Sequence, residues 1–129
     1  MTKARDIADS TKTLDVDGGT IKLDGNYPVG TNNVALGNES LNGSISGSEN
    51  VAVGTYSLDA TTSGSYNSGL GYAALSGNTT GGANTAMGNG ALISSTTGSY
   101  NTGLGASALL NNTTAAANTA VGYQALTTN

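Results

Sequence analysis

A repeat of 17 residues, which runs without slippage through residues 30–129, constrains the fold of this chain more than any other feature. Each copy contains an Asn, a Gly four residues later and a Leu four residues after that. The Asn column is Asn33, Asn50, Asn67, Asn84, Asn101 and Asn118. The Gly column is Gly37, Gly54, Gly71, Gly88, Gly105 and Gly122. The Leu column is Leu41, Leu58, Leu75, Leu92, Leu109 and Leu126.

The length of the repeat excludes a pair of helices, because helical repeats need about 33 residues or more. Two short strands and two turns fit instead. In the second copy, the alternation predicts Val51 and Val53 on one face of a strand and Ala52 on the other. The Asn and Gly columns are expected to supply positive φ angles at its ends. The Thr pairs, typical of β structure, predict the second strand; they are Thr79–Thr80, Thr96–Thr97 and Thr113–Thr114.

Copies of one length stack identical residues above one another, so the repeat predicts an all-β, parallel β-solenoid of about six coils. Stacked Asn side chains can form an amide ladder, and stacked Leu side chains an apolar spine. With a rise of about 4.8 Å per coil, six coils are roughly 29 Å long.

The predicted core is thin for a single chain. Only 36% of the residues are hydrophobic, and Phe and Trp are absent. We therefore expect association around an axis that buries the Leu and Val columns between chains. Small residues at the third motif position would then let the chains approach closely; these are Ala35, Ala52, Gly69, Ala86, Gly103 and Ala120.

The strand segments resemble the head repeats of trimeric autotransporter adhesins, whose strands read Asn-Ser-Val-Ala-Ile-Gly. The matching segments are 33–37 (NVALG), 50–54 (NVAVG) and 118–122 (NTAVG). The resemblance covers residues 30–129 and implies a left-handed β-roll that assembles as a homotrimer. Because the adhesin repeat is usually shorter than 17 residues, a longer outer turn is expected here.

The chain is also similar to fibre proteins of marine bacteriophages. The similarity lies in runs such as residues 118–126 (NTAVGYQAL) and in the opening residues 1–9 (MTKARDIAD). It implies a structural tail or head fibre on the virion surface that presents or spaces a host-contacting surface. A start without an apolar signal-like run favours this interpretation. The alternative is a trimeric adhesin head that binds host surface glycans or protein directly.

Residues 1–29 form a separate N-terminal segment by composition. They hold all four basic residues and five of the eight acidic ones. Residues 14–16 and 20–23 flank Asp17-Gly18-Gly19, a pattern that predicts a hairpin. One hypothesis is a docking segment that binds other virion proteins. The other is a cap that covers the first open coil, which solenoids require.

Residues suited to catalysis are scarce. Without His or Cys, a Ser-His or Cys-His nucleophile and the usual transition-metal sites cannot form within the chain. The repeat region has three carboxylates, Glu39, Glu49 and Asp59, in different columns of the coil. Glycine pairs at 69–71 and 103–105 imitate a dinucleotide-binding motif, but that motif needs a helix after them. We expect a non-enzymatic protein without a cofactor or metal.

Charge, hydropathy and aromatic residues indicate which other kinds of partner the chain can bind. The net charge is −4, so we expect no basic surface that would bind nucleic acid. The longest apolar runs are much shorter than the about 20 residues that a membrane-spanning helix needs. Stacked Thr suggests ice binding, but adjacent Thr residues in a strand point to opposite faces. The candidates for surface contact with sugar or protein are Tyr56, Tyr66, Tyr72, Tyr100 and Tyr123.

Overall fold

The computed structural model describes residues 32–42 and 45–128. Within these residues, six strands of three residues each form one parallel sheet in the order β1-β2-β3-β4-β5-β6. They are β1 (Val34–Leu36), β2 (Val51–Val53), β3 (Ser68–Leu70), β4 (Thr85–Met87), β5 (Thr102–Leu104) and β6 (Thr119–Val121). Equivalent strands recur every 17 residues, so the chain is a β-solenoid of about five turns. The N-terminal segment 1–29, its hairpin and the start of the repeat at Gly30 lie outside the described residues.

The strand register joins each residue to its counterpart one copy later. Val51 pairs with Ser68, Ala52 with Gly69 and Val53 with Leu70. The remaining strand pairs repeat the same offset. The predicted parallel solenoid and its 17-residue coil are therefore confirmed.

In the part of the chain that the structure describes, each coil contains one strand, so the second strand predicted at the Thr pairs is wrong. The backbone N–H groups of Thr62, Ser63 and Gly64 all donate to the carbonyl of Thr79, at 2.9, 3.2 and 3.3 Å. Three successive amides can converge on one oxygen only where the chain bends, since a strand directs alternate amides to opposite sides. The Thr pairs consequently lie in bends that are hydrogen-bonded to the next coil.

The Asn column forms the predicted amide ladder inside the solenoid. Asn67 Oδ1 accepts bonds from the backbone N–H and the Nδ2 of Asn84, at 3.0 and 3.1 Å. Asn67 Nδ2 donates to Asn50 Oδ1 at 3.1 Å and to the carbonyl of Gly81 at 2.9 Å. The expectation of a positive φ at these Asn residues is wrong, because that conformation belongs to the residue before each of them, as at Tyr66 and Ala83.

The Leu column is the apolar spine of the core. Leu58, Leu75, Leu92 and Leu109 are fully buried, whereas Leu126 in the last turn is exposed. The spine is thus buried within one chain, and the expectation that it packs between chains is wrong. Each Leu has a left-handed backbone with φ between 47° and 56°. That conformation costs about 1–2 kcal/mol, which burial of the side chain, worth about 1.5–3 kcal/mol, offsets at the buried positions.

A second interior column is polar and incompletely bonded. Within the described residues, four buried side-chain oxygens have no hydrogen-bond partner: Thr61 Oγ1, Asn78 Oδ1, Ser95 Oγ and Asn112 Oδ1. An unsatisfied buried polar group costs about 1–3 kcal/mol. These four atoms lie at equivalent positions in consecutive coils, beside the satisfied Asn ladder.

The substitution Ser95→Ala is expected to leave the free energy of unfolding unchanged or to raise it by about 1 kcal/mol, because it removes an unpaired buried hydroxyl. Asn84→Ala is the control, since Asn84 is buried but fully bonded. It should lower that energy by several kcal/mol, at about 1 kcal/mol for each lost bond plus the cost of the groups left unpaired. Urea unfolding compares the two. A loss of more than 1 kcal/mol in Ser95→Ala would show that its hydroxyl is bonded.

Candidate functional site: the outer face of the sheet

The outer face of the sheet carries a straight column of large apolar side chains. The third residue of every strand points outward, because the second points into the core. The column is Leu36, Val53, Leu70, Met87, Leu104 and Val121. Four of its members are exposed and Val53 and Leu104 are half-buried. The predicted separation of Val51 and Val53 from Ala52 is confirmed, since Ala52 is fully buried.

The small residues at the third motif position point into the core of their own chain. The expectation that they let separate chains approach closely is therefore wrong. A Cβ added to Gly69 would lie 2.5 Å from Ser57 Oγ and 3.5 Å from Leu58 Cδ1. A Cβ at Gly103 would lie 3.4 Å from Leu92 Cγ. Their small size makes room for the Leu spine of the same chain.

The first residue of each strand forms a second outward column, whose chemistry changes along the solenoid. It starts as Val34 and Val51, continues as Ser68 and ends as Thr in the last three strands. Since the other outward column stays apolar throughout, the face is wholly apolar near β1 and β2. It is half hydroxylated near β4 to β6.

All five candidate tyrosines are exposed and border this face. Tyr66 and Tyr100 immediately precede the Asn column, at the corner where the chain enters the strand. Tyr56, Tyr72 and Tyr123 lie at the opposite corner, after the Gly column. The rings of Tyr56 and Tyr72 contact edge to face, with centroids 5.9 Å apart. The sequence located these residues near the turns, and the structure divides them between two corners.

The Thr pairs also lie on the surface, but not as predicted. In the last copy both Thr113 and Thr114 are exposed, rather than one on each face. The buried residue is the one before the pair, Asn112, because the chain bends there instead of extending. Thr62, Thr79 and Thr96 each donate their hydroxyl to the carbonyl of the next coil at 3.1 Å.

The three carboxylates of the repeat region lie in different columns of the coil. Glu39 accepts a hydrogen bond from the amide of Asn42, and Glu49 is exposed in a different column. Burial raises the pKa of Asp59, which its own and the Ala60 backbone amides partly lower and the Glu39 charge slightly raises. The pKa of Asp59 is therefore higher in the folded chain than in the unfolded chain. Its contribution to stability is present below the unfolded-state pKa and is lost as the pH rises through the folded-state pKa.

The described residues offer no group of three potential ligands for a metal ion. They also contain no helix that could span a membrane. A turn, not a helix, follows Gly71 and Gly105, so the glycine pairs lack the helix that a dinucleotide-binding motif requires.

Comparison with protein-family models, with curated proteins and with solved structures finds no match to the chain.

Proposed function

We propose that the chain is a non-enzymatic structural segment of a virion fibre, assembled as a homotrimer, which spaces or presents a host-contacting surface. The outer apolar column is the single observation that carries the proposal. The core of the solenoid is already filled by its own Leu spine. The outward side chains are therefore not needed to close that core, and their burial requires another molecule.

A second copy of the chain is the partner that best matches this column. The column repeats at the rise of one coil, about 4.8 Å, so a partner must carry the same period to stay in contact along its length. Every copy of this chain does so. The face carries no charged side chain, which favours apolar contact over electrostatic recognition.

The size of the face favours three copies over two. Five coil rises and a strand of three residues give an area of roughly 24 by 10 Å. That is well below the ~800 Å² per partner of a stable interface between two proteins. Around a threefold axis each copy contacts two neighbours, so the apolar column takes part in two interfaces instead of one.

Leu70→Asp tests the interface. Leu70 is 48% exposed, so the carboxylate stays hydrated in a single chain but would be desolvated between chains. We expect a folded monomer, seen as a threefold drop in mass by light scattering with an unchanged circular dichroism spectrum. Thr80→Asp, on the bend, should keep the trimer. A monomeric unsubstituted protein, or a trimer that tolerates Leu70→Asp, contradicts the proposed interface.

The virion assignment is supported by the resemblance to phage fibre proteins, and residues 1–29 are proposed to attach the fibre to other virion proteins. The test is a mass-spectrometric inventory of purified particles, combined with labelling of the chain by antibody and electron microscopy. Detection at a fibre on the particle is the expected result. Absence from particles made by cells that express the chain contradicts it.

A trimeric adhesin head is the second candidate, and the exposed tyrosines are the observation that favours it. An adhesin whose binding site repeats along the solenoid should lose host binding in steps as coils are removed. A spacer should keep its attachment to the particle when a coil is removed, because residues 1–29 are unchanged.

A further inference from the structure

Two exposed tyrosines stand at equivalent positions two coils apart, with an alanine at the same position between them. Tyr66, Ala83 and Tyr100 have φ angles of 62°, 56° and 61°. Their backbone N–H groups donate at 3.0 Å to the carbonyls of Ser48, Ser65 and Gly82 in the preceding coil. The backbone geometry is the same in all three coils. The side chains of Tyr66 and Tyr100 therefore project from equivalent positions, one coil before and one coil after the methyl group of Ala83.

Folding gains little from these two rings. A left-handed backbone is uncommon for bulky residues; the Leu column adopts it and is buried, but Tyr66 and Tyr100 are 66% and 71% exposed. Asn32, Glu49, Ala83 and Ala117 occupy the same position in other coils. The solenoid therefore does not need an aromatic ring there.

We propose that Tyr66 and Tyr100 form a slot, with Ala83 as its floor, that binds one ring of a neutral sugar chain. The inference rests on the proposed host-contacting role and names its ligand class. Two coils separate the tyrosines by roughly 9.6 Å. A flat ring held between two aromatic faces at van der Waals distance needs only about 7–8 Å. A puckered sugar ring with axial hydrogens is thicker and fits the remaining space.

The surroundings of the slot favour hydroxyl groups over ions. The residues before the two tyrosines are Ser65 and Ser99. Their Oγ atoms accept hydrogen bonds from the backbone N–H groups of Ser48 and Gly82, both at 3.0 Å. A hydroxyl that accepts one bond can still donate its proton to a ligand.

Charge selects the sugar class. No charged side chain occurs in residues 60–128. Glu49 is exposed at the equivalent position in the coil before Tyr66, where it repels acidic sugars. The ligand is accordingly neutral.

The test uses the full chain and a panel of maltohexaose, cellohexaose, mannohexaose and, as the acidic member, 3′-sialyllactose. Saturation-transfer NMR and tyrosine fluorescence report binding. At least one neutral oligosaccharide should bind and sialyllactose should not. Tyr66→Ser and Tyr100→Ser should each weaken binding at least tenfold. The matched control is Tyr123→Ser, at the opposite corner, which should bind as the unsubstituted chain does.

Ala83→Tyr separates a slot from a merely adhesive aromatic surface. Position 83 has the same backbone geometry as Tyr66, so a third ring is accommodated and fills the gap. We expect binding to be lost although an aromatic group has been added. Retained or stronger binding in Ala83→Tyr overturns the proposal, as does the failure of every neutral oligosaccharide to bind.

Light scattering on the same variants keeps this proposal distinct from the assembly. The trimer should survive Tyr66→Ser and Tyr100→Ser; its loss would make these residues contacts between copies and overturn the slot. The particle inventory decides the virion role separately, because sugar binding is measured on the isolated chain.

Discussion

Deletion of residues 67–83 should leave a folded, shorter solenoid. It removes one complete copy, so Val53 and Met87 come to lie in neighbouring coils. The strand pairs on either side of β3 have the same register, and the Asn67 ladder bonds are replaced by equivalent ones between Asn50 and Asn84. In repeat proteins stability is close to a sum over neighbouring units, so one coil interface is lost. The solenoid should shorten by about 4.8 Å.

Deletion of residues 67–82 is the matched control, and its effect should be far larger. The coil from Asn50 to Asn84 is then one residue too long, and a slip by one position sends every strand side chain to the opposite face. It would also move Met87 to the Gly position after the strand. A Cβ added at Gly71 would lie 2.6 Å from the carbonyl oxygen of Gly88, a distance that side chains do not tolerate.

Thermal melting, light scattering and incorporation into particles compare the two deletions. The 17-residue deletion should keep a cooperative melt, the trimer and particle attachment, and the 16-residue deletion should lose all three. Equal stability of the two proteins would mean that the register is not fixed by the Asn and Gly columns.

Leu75→Asp should prevent folding. Leu75 is fully buried between Leu58 and Leu92 of the neighbouring coils. An unpaired buried carboxylate costs about 3–5 kcal/mol or more, a large part of the stability of a small domain. The backbone is not the cause, because Asp tolerates the left-handed conformation of this position better than Leu does.

Thr80→Asp is the control, since Thr80 is exposed in the bend, and it should change the free energy of unfolding by less than about 0.5 kcal/mol. Urea unfolding and circular dichroism measure both variants. The carboxyl introduced by Leu75→Asp would have a raised pKa in any folded form because it is buried, so acid should restore part of the structure. Equal tolerance of the two substitutions would contradict the assignment of the Leu column to the core.

The sequence by itself determined the period, and the period determined the stacking. Once identical residues recur every 17 positions, a parallel solenoid pairs each with its own copy, as Ala52 with Gly69. The amide ladder follows for the same reason, because Asn67 lies above Asn50 and each amide has one donor and one acceptor to offer along the axis. Strand alternation likewise predicted that Val51 and Val53 share one face and that Ala52 lies on the other.

The cross-section of the coil was decided only by the tertiary structure. Nothing local predicts a left-handed backbone at Leu75, since Leu disfavours it, and burial against the next coil supplies the compensation. Nothing local predicts a bend at Thr62 either, because the carbonyl that draws three amides together belongs to Thr79 in another coil. The period sets what lies above each residue, but bonds between coils set where each side chain points. The outer apolar column and the tyrosine slot depend on those directions, and they could therefore be located only once the coil was folded.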